Sequence, residues 1–233
     1  MRASAIAGGA AWLGNDAVPD EAPRRQVELP AFSIGATEVS LGQYQAFVDA
    51  GGYRDPALWS ASGLAWLEDH AEVEHADRAL GRTSEHPVFL ISRFEAEAFC
   101  AWAGGRLPTE WEWERAARGI SGGKYSWGDE PKDHFGNWYS AGKYAFLEGY
   151  MTWSVDEARP ETRTREDGVN YAGNVWEWTS STYHHDAVGG GDTPWDVIRG
   201  GSWINLPSYC TATHREPARP EERRETLGVR CAW

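Results

Sequence analysis

Three segments of this chain each carry both a helix start and a helix stop. In each, a Ser or Thr precedes a Gln or Glu by three residues, the spacing at which the two side chains satisfy the first free backbone donors of a helix. Glycine follows each segment and favours helix termination. The helices are predicted after Ser40, Ser92 and Thr109, and their stops are Gly51-Gly52, Gly104-Gly105 and Gly119. The predicted inward residues are Leu41, Tyr44, Phe47 and Val48 in the first helix and Phe94, Ala98, Phe99 and Trp102 in the second.

Few other stretches predict regular structure. The predicted strands are Val27 to Leu29, Phe32 to Ile34, Val197 to Arg199 and Gly228 to Cys231. The segments 54–85 and 129–170 are longer and more irregular than the connections of an ordinary compact fold. With no repeat or linker, we expect one domain over residues 1–233, of α+β class, with few strands and long ordered loops. The 14 tryptophans suit the packing of such loops or an aromatic-lined cleft.

Composition narrows the classes of function. The formal charge is −13, which disfavours binding to a phosphate backbone. No run of residues is long and apolar enough for a membrane span, and none reads as a secretion signal, so a cytoplasmic location is expected. The chain has three cysteines, a small and odd number that does not predict a disulfide framework. No Ser-His-Asp triad stands out, and the glycines at 189–191 lack the Lys of a phosphate-binding loop.

Several strings, taken together and in this order, resemble the formylglycine-generating enzyme (sulfatase-modifying factor) family. They are Glu38 to Val48 with Gly51-Gly-Tyr53, His86-Pro-Val88, Cys100-Ala-Trp-Ala-Gly104, Arg106-Leu-Pro-Thr-Glu110 with Ala116-Ala-Arg-Gly119, Gly173-Asn-Val-Trp-Glu-Trp-Thr179, Arg199-Gly-Gly-Ser-Trp203 and Leu227-Gly-Val-Arg230. The resemblance spans almost the whole chain and implies a C-type-lectin-like core elaborated by long loops. Members of that family include copper oxidases, sulfoxide synthases that add an iron-binding helical domain, and non-catalytic binding proteins, so the fold alone does not fix the activity.

The copper enzymes of this family hold Cu(I) between two thiolates in the loop after the Gly-Gly-Ser motif, since soft sulfur ligands suit that ion. Counting forward from Ser202 puts Asn205 at the first thiol position and Cys210 at the second, which would make Ser202 and Cys210 the candidate catalytic residues. Counting backward from Arg230, the loop is shorter than in the copper enzymes, and Cys210 falls on an inward apolar position. The second counting is favoured and predicts a buried structural thiol at Cys210.

The resemblance also implies two further features. Cys100 and Cys231 occupy positions that are paired as a disulfide in some relatives, so we expect the two sulfurs to lie close together. A calcium loop is implied at Asn170 to Glu177, since Ca²⁺ prefers carboxylate, amide and carbonyl oxygens. Its ligands would be the Asn170 and Glu177 side chains and the Gly173 and Val175 carbonyls. A second calcium site would use Asn137, Trp138, Glu148 and Tyr150.

Histidine offers another metal-binding hypothesis. His184, His185 and Asp186 contain the atoms of a two-histidine, one-carboxylate iron site, but adjacent residues of an extended segment face opposite sides. Histidines at 70, 75, 86 and 134 are expected at the surface or in hydrogen bonds. His214 is expected near the ligand cleft. The cleft residues are predicted to be Trp203, Asn205, Tyr209, His214 and Arg215, and the charged run from Arg215 to Glu225 either forms their rim or is a solvated loop.

Two functions therefore follow as expectations. The first is a ligand- or partner-binding module of this family without copper chemistry, which takes a peptide, a protein or a thiol-bearing small molecule. The alternative is an O₂-dependent oxidoreductase that uses iron or copper on a thiol-bearing peptide or small molecule. Calcium is the expected structural ion in either case, and nucleic acid and membrane are not expected partners.

Overall fold

The computed structural model describes residues 1–120, 122–132, 135–139, 152–157, 160–184 and 195–233. Its strands are β1 (Ala3–Ile6), β2 (Gly9–Leu13), β3 (Arg25–Leu29), β4 (Phe32–Gly35), β5 (Trp176–Thr182), β6 (Asp196–Arg199), β7 (Arg215–Ala218) and β8 (Leu227–Val229). Its α-helices are α1 (Leu41–Asp49), α2 (Ala61–Asp69), α3 (Arg93–Trp102) and α4 (Glu110–Arg118). Short 3₁₀ turns connect several of these elements. None of the described helices is long and apolar enough to span a membrane.

The three predicted capping boxes are all formed, at the starts of α1, α3 and α4. In each, the Ser or Thr oxygen accepts from a backbone N–H three residues later, and the Gln or Glu side chain accepts from the cap backbone in return. The predicted helix starts and stops are therefore confirmed. Trp102 departs from the prediction, because it is 38% exposed although its ring still contacts Phe47 and Phe99.

Three predicted strands lie within β3, β4 and β6, whereas the predicted strand Gly228 to Cys231 overlaps β8 but extends two residues past its end at Val229; the sequence predicts none of the other four strands. β1 and β2 are short, and although their burial alternates, their small Ala, Ser and Gly residues give the sequence little hydrophobic alternation. β5 was interpreted only as the end of the calcium loop. β7 lies in the charged run that the sequence predicts to be either the rim of the ligand cleft or a solvated loop, and it pairs with β6 as the edge strand of a sheet. Charged residues are common on such edges because they discourage pairing with other chains.

The prediction that residues 54–85 are irregular is wrong for Ala61–Asp69, which forms α2. Ser60 caps this helix, but no Gln or Glu stands three residues later to complete a capping box, and Gly63 weakens its helical pattern. Within the described part of residues 129–170, a 3₁₀ turn covers Pro160–Thr162.

The main sheet has the strand order β7-β6-β5-β8, with β5 and β8 parallel and the other neighbours antiparallel. β1 pairs with β4 and β2 with β3 in two further antiparallel ribbons. Ala232 bridges to both Ile34 and Arg106, which joins the end of the main sheet to β4. Next to it, Cys231 is disulfide-bonded to Cys100 of α3, with their Cα atoms 5.5 Å apart. The predicted proximity of these two cysteines is confirmed.

Buried side chains of α1 and α3, among them Tyr44, Phe47 and Phe99, pack with side chains of the main sheet in one hydrophobic cluster. Glu95 of α3 lies inside this core with none of its surface exposed. Its carboxylate accepts hydrogen bonds from Arg78 (2.7 Å) and Tyr53 (2.5 Å) and lies 3.3 Å from Arg223 Nε. One buried carboxylate therefore fixes two segments that carry no helix or strand at these positions, around Arg78 and Arg223.

We expect Glu95→Ala to lower the free energy of unfolding by about 3–5 kcal/mol, because it leaves Arg78 buried without its carboxylate partner. Glu97→Ala on the same helix is the control. Glu97 is 33% exposed and pairs loosely with Arg93, so its loss should be about 0–1 kcal/mol. Urea denaturation measures the free energy of unfolding of both variants. Equal losses of that free energy would contradict the assigned role of Glu95.

Candidate functional site

The loop after β6 turns sharply on two glycines. Gly200 and Gly201 both have positive φ, at 99° and 72°. A Cβ atom at Gly201 would lie 2.5 Å from the sulfur of Cys210. Glycine is therefore required at residue 201 both by its backbone conformation and by the close approach of Cys210. This turn brings the two ends of the segment 201–210 together.

Ser202 and Asn205 are held to each other inside this loop. The Ser202 hydroxyl donates to Asn205 Oδ1 at 2.6 Å, and the Ser202 backbone N–H donates to the same oxygen. The Trp176 indole N–H of β5 is the third donor to that oxygen. Asn205 is thus fixed by three hydrogen bonds. The buried Ser202 hydroxyl serves here to hold Asn205.

Cys210 is fully buried behind Tyr125, Trp138 and Ala172. Its sulfur lies 3.6 Å from the Leu206 carbonyl oxygen. Burial raises the pKa of the Cys210 thiol to about 12, although a hydrogen bond from the Ser202 backbone acts in the opposite direction. This environment is the buried apolar one that the backward counting predicts. A catalytic role for Cys210 or Ser202 stays a prediction.

The outer surface of the same loop is apolar. Ile204, Leu206 and Tyr209 are 49%, 52% and 41% exposed. Tyr139, which is 67% exposed, joins them because its backbone N–H donates to the Asn205 carbonyl. These four residues, with the half-buried Trp203, are called the apolar loop below. The predicted cleft residues Trp203, Asn205 and Tyr209 are all on this segment.

His214 lies beside the apolar loop, and Arg215 lies away from it. The His214 ring contacts Tyr209 edge-on at 5.0 Å and stands between the carboxylates of Glu21 and Glu216, at 3.4 and 3.5 Å. Burial lowers the pKa of His214, but its hydrogen bonds to the two carboxylates outweigh that effect and leave the pKa raised. Arg215 instead pairs with Glu110 at the start of α4. It is therefore not part of the predicted cleft.

The predicted calcium loop is tightly curved. Asn170, Gly173 and Asn174 all have positive φ. Glu177, at the start of β5, is fully buried, and its carboxylate accepts from the Trp113 indole and twice from the Arg230 guanidinium. The Asn170 amide donates to Glu38 and to the Val155 carbonyl. The loop thus brings its two predicted side-chain ligands close to Glu38 and Arg230.

Asn174 organises this loop and had no assigned role in the sequence. Its amide donates to Glu38, and its side-chain oxygen accepts from the Asn137 amide and from the Trp153 backbone. Its backbone N–H donates to the Asn137 carbonyl. Asn174 and Glu38 belong to strings that carried the family resemblance, and only the folded chain reveals that they meet.

The donor set at this loop suits a cation. Two buried carboxylates, Glu38 and Glu177, face one guanidinium, that of Arg230. The pKa of Glu38 is raised to about 7. Burial is the main cause and the charge of Glu177 adds to it, while the charge of Arg230 acts in the opposite direction. Among the described residues, none donates a hydrogen bond to the Asn170 side-chain oxygen or to the Gly173 and Val175 carbonyls. The predicted calcium site would join these oxygens to the Glu177 carboxylate, both oxygens of which are engaged by Arg230 in this structure.

The other predicted metal sites are only partly described. For the second calcium site, Asn137 is engaged with Asn174 and Trp138 is fully buried, whereas Glu148 and Tyr150 lie outside the described residues. His134, His185 and Asp186 also lie outside them. Within the described ranges, no group of three or more His, Cys, Asp or Glu side chains is arranged to hold a metal ion.

Comparison with known proteins agrees with this architecture. A family model described as the sulfatase-modifying factor enzyme 1-like domain matches residues 2–233. The hercynine oxygenase of Mycobacterium tuberculosis is 34% identical over 261 residues, which cover 95% of this chain and 58% of that protein. The formylglycine-generating enzyme of Streptomyces coelicolor is 34% identical, with 91% of this chain and 81% of that protein covered.

The chain spans between 54% and 60% of the length of three bacterial hercynine oxygenases that it matches. Among solved structures, Treponema denticola variable protein 1 superposes with a TM-score of 0.74 at 23% identity and covers 99% of this chain and 94% of that one. The shared fold confirms the predicted fold class.

We expect Cys210 to resist thiol reagents in the native protein, because its sulfur is buried and its pKa is far above neutrality. Reaction with a chromogenic disulfide at pH 8 should be slow and should become fast in denaturant. Cys210→Ala is the control that assigns the signal. Fast stoichiometric labelling of the native protein would contradict the burial and would revive Cys210 as a reactive thiol.

Proposed function

The chain belongs to the sulfatase-modifying factor enzyme 1-like family, and from that premise we propose that it is a binding module of the family that works without a copper–dithiolate centre. The apolar loop would hold the ligand, which is a peptide, a protein segment or a thiol-bearing small molecule. His214 would supply a polar contact at its side.

One observation carries this proposal. The two positions at which counting forward from Ser202 would place copper thiolates are a hydrogen-bonded Asn205 and, in Cys210, a buried thiol of raised pKa. An amide is a poor ligand for Cu(I), and burial in an apolar pocket disfavours the thiolate form in which Cys210 would bind that ion. The loop instead presents Ile204, Leu206 and Tyr209 outward, and such clustered apolar side chains mark binding surfaces.

The test is peptide selection on the purified protein, followed by binding isotherms for the selected peptide. Leu206→Asp should weaken binding by about tenfold or more, since it puts a charge into an apolar contact. Leu80→Asp is the matched control, because Leu80 is similarly exposed at 44% but lies outside the apolar loop. Binding at this loop would be contradicted if no peptide is selected, or if both variants lose the same amount of peptide affinity.

The second candidate is an O₂-dependent oxidoreductase acting on a thiol-bearing peptide or small molecule. It is favoured by the 34% identity to a hercynine oxygenase, of which this chain covers a little more than half. In that case iron or copper would be bound together with residues outside this domain or with a partner chain. Titration with Cu(I) and Fe(II), followed by O₂ uptake with cysteine or glutathione, tests whether this chain carries the activity by itself. Metal-dependent uptake would favour the oxidoreductase.

We also propose that Ca²⁺ stabilises the loop 170–177 in either case. The supporting observation is that two buried carboxylates, Glu38 and Glu177, share the single guanidinium of Arg230 beside this tightly curved loop. The ligands would be the Asn170 and Glu177 side chains and the Gly173 and Val175 carbonyls. A second ion at Asn137 and Trp138, closed by Glu148 and Tyr150, is part of the same proposal.

Calcium should raise the melting temperature of chelator-treated protein, because a ligand that binds only the folded state adds about 2.7 kcal/mol of stability at 100 times its Kd. Asn170→Ala should remove most of this increase. Asn15→Ala, an asparagine that binds Glu21 in another loop, is the control and should retain it. The calcium proposal fails if neither calcium nor magnesium shifts the melting temperature of the wild-type protein.

A further inference from the structure

An open groove of about 880 Å³ runs along α1. The helix forms one wall and the segment 74–84 forms the other. The walls meet at the start of the helix, where the Gly42 backbone N–H donates to the Ser84 carbonyl. All residues that line the groove fall between residues 41 and 84, a range whose backbone the structure describes without a gap. The groove therefore shares no residue with the apolar loop or with the loop 170–177.

Arg82 lines this groove with a guanidinium that has no partner in the protein. Among the described arginines that are not exposed, it alone makes neither a hydrogen bond nor an ion pair. Its guanidinium lies 4.5 Å from the centre of the buried Phe89 ring, which holds the plane of the group. Its Nε atom is sealed from solvent, but its two terminal nitrogens are not. These terminal N–H groups are donors open to a ligand.

Partial burial makes the missing partner of Arg82 costly. Burial lowers the pKa of this guanidinium, and the charge of Glu225 acts in the opposite direction. Glu225 is exposed and lies beyond ion-pair distance, so it does not replace a contacting anion. A carboxylate bound in the groove would supply the missing contact with charge-assisted hydrogen bonds.

Asp49 supplies the opposite charge at the other end of the groove. It is the last residue of α1, and it is exposed. Its carboxylate accepts from the Gln45 amide at 2.8 Å and makes no ion pair with any described residue. The C-terminal end of a helix already carries partial negative charge, and α1 has no basic residue in its last turn. This end of the groove therefore attracts a cation.

The other charged side chains of the lining have partners within the chain. Arg54 pairs with Glu74, and Arg78 pairs with Glu95. Asp77 accepts from two backbone N–H groups of its own turn. The groove thus offers one unpaired cation at the start of α1 and one unpaired carboxylate at the end of α1.

The separation of these two charges sets the length of the ligand. Arg82 is two residues from Ser84, which bonds to Gly42, and Asp49 follows Gly42 by seven helical residues. Seven residues of helix span about 10 Å at about 1.5 Å each. An extended chain covers that length in about three residues. Half-buried Val48 lines the groove between the two ends and favours small aliphatic side chains there.

We propose that this groove binds an extended peptide segment with an acidic residue and a basic residue about three positions apart, separated by small aliphatic residues. The acidic side chain would accept hydrogen bonds from the terminal nitrogens of Arg82, and the basic side chain would donate to Asp49. Charge complementarity at both ends selects such a segment over a simple anion or cation. This site is separate from the apolar loop, so its failure would leave the proposal of binding at that loop standing.

The first test uses the wild-type chain and the capped peptide Glu-Ala-Ala-Lys. The control peptides are Gln-Ala-Ala-Lys and Glu-Ala-Ala-Gln, each of which lacks one charge. The readout is an NMR titration of the Arg82 Nε–H signal, with the equally sealed Arg118 Nε–H as the internal reference. Glu-Ala-Ala-Lys should shift the signal of Arg82 but not that of Arg118. Each control peptide should bind at least about fivefold more weakly, because it loses one charge-assisted contact.

Two variants with matched controls locate the contacts. Arg82→Gln and Asp49→Asn should each lower the affinity for Glu-Ala-Ala-Lys by about fivefold or more. Arg24→Gln is the control for the first, because Arg24 also stacks on an aromatic ring, that of Trp12, but lies outside the groove. Asp69→Asn is the control for the second, because Asp69 is likewise an exposed last residue of a helix, α2. Both control variants should bind like wild type.

The proposal is overturned if the Arg82 signal does not respond to Glu-Ala-Ala-Lys, or if the three peptides bind equally. Equal affinities of a variant and its matched control would overturn it as well. Since Arg82 makes no hydrogen bond or ion pair within the described chain, we expect Arg82→Gln to fold, and circular dichroism checks this. The titration of wild-type protein decides the matter without any variant.

Discussion

The guanidinium of Arg230 is fully buried and binds three separate parts of the chain. It holds the Glu177 carboxylate at the start of β5 and donates to the carbonyls of Gly35 and Val169. Three segments far apart in sequence thereby meet at one charge. Burial of such a charge is costly unless every donor is used, so each of these segments must be in place before the ion pair is favourable. The curved loop 170–177 and the ribbon that contains β4 are positioned together as a result.

Much of the fold could be predicted because its local signals are strong. Ser40, Ser92 and Thr109 fix helix starts through contacts only three residues long, and the structure confirms all three. The strand β5 could not be predicted in this way, because its Trp, Glu and Thr residues are buried by tertiary contacts rather than by an alternating pattern. The helix α2 was missed because its only strong local signal is the Ser60 cap. These failures occur where tertiary packing, rather than local preference, decides the backbone.

In the candidate site too, the sequence predicts the local arrangement but not the long-range contacts. Sequence order was enough to place Trp203, Asn205 and Tyr209 on one loop, since they are neighbours in the chain. It could not tell that Arg215 turns to Glu110 rather than to that loop, because consecutive residues of the edge strand β7 face opposite sides. Nor could it tell that Asn174 joins Glu38 to Asn137, since these contacts span more than 130 and more than 30 residues. The spacing of residues in a sequence predicts contacts only between residues that lie close together in the chain. The family resemblance indicated which strings matter, and the folded chain gives each residue its partner.

The pairing of the segment 227–233 has a consequence for synthesis in the cell. This segment supplies β8 alongside β5, places Arg230 against Glu177, and bridges through Ala232 to Ile34 and Arg106. Each of those partners leaves the ribosome much earlier than the segment that completes it. The nascent chain must therefore wait with an unfinished sheet and uncovered aromatic side chains until residues 227–233 emerge. During that interval the exposed apolar surface and the unpaired edge of β5 leave the chain open to aggregation.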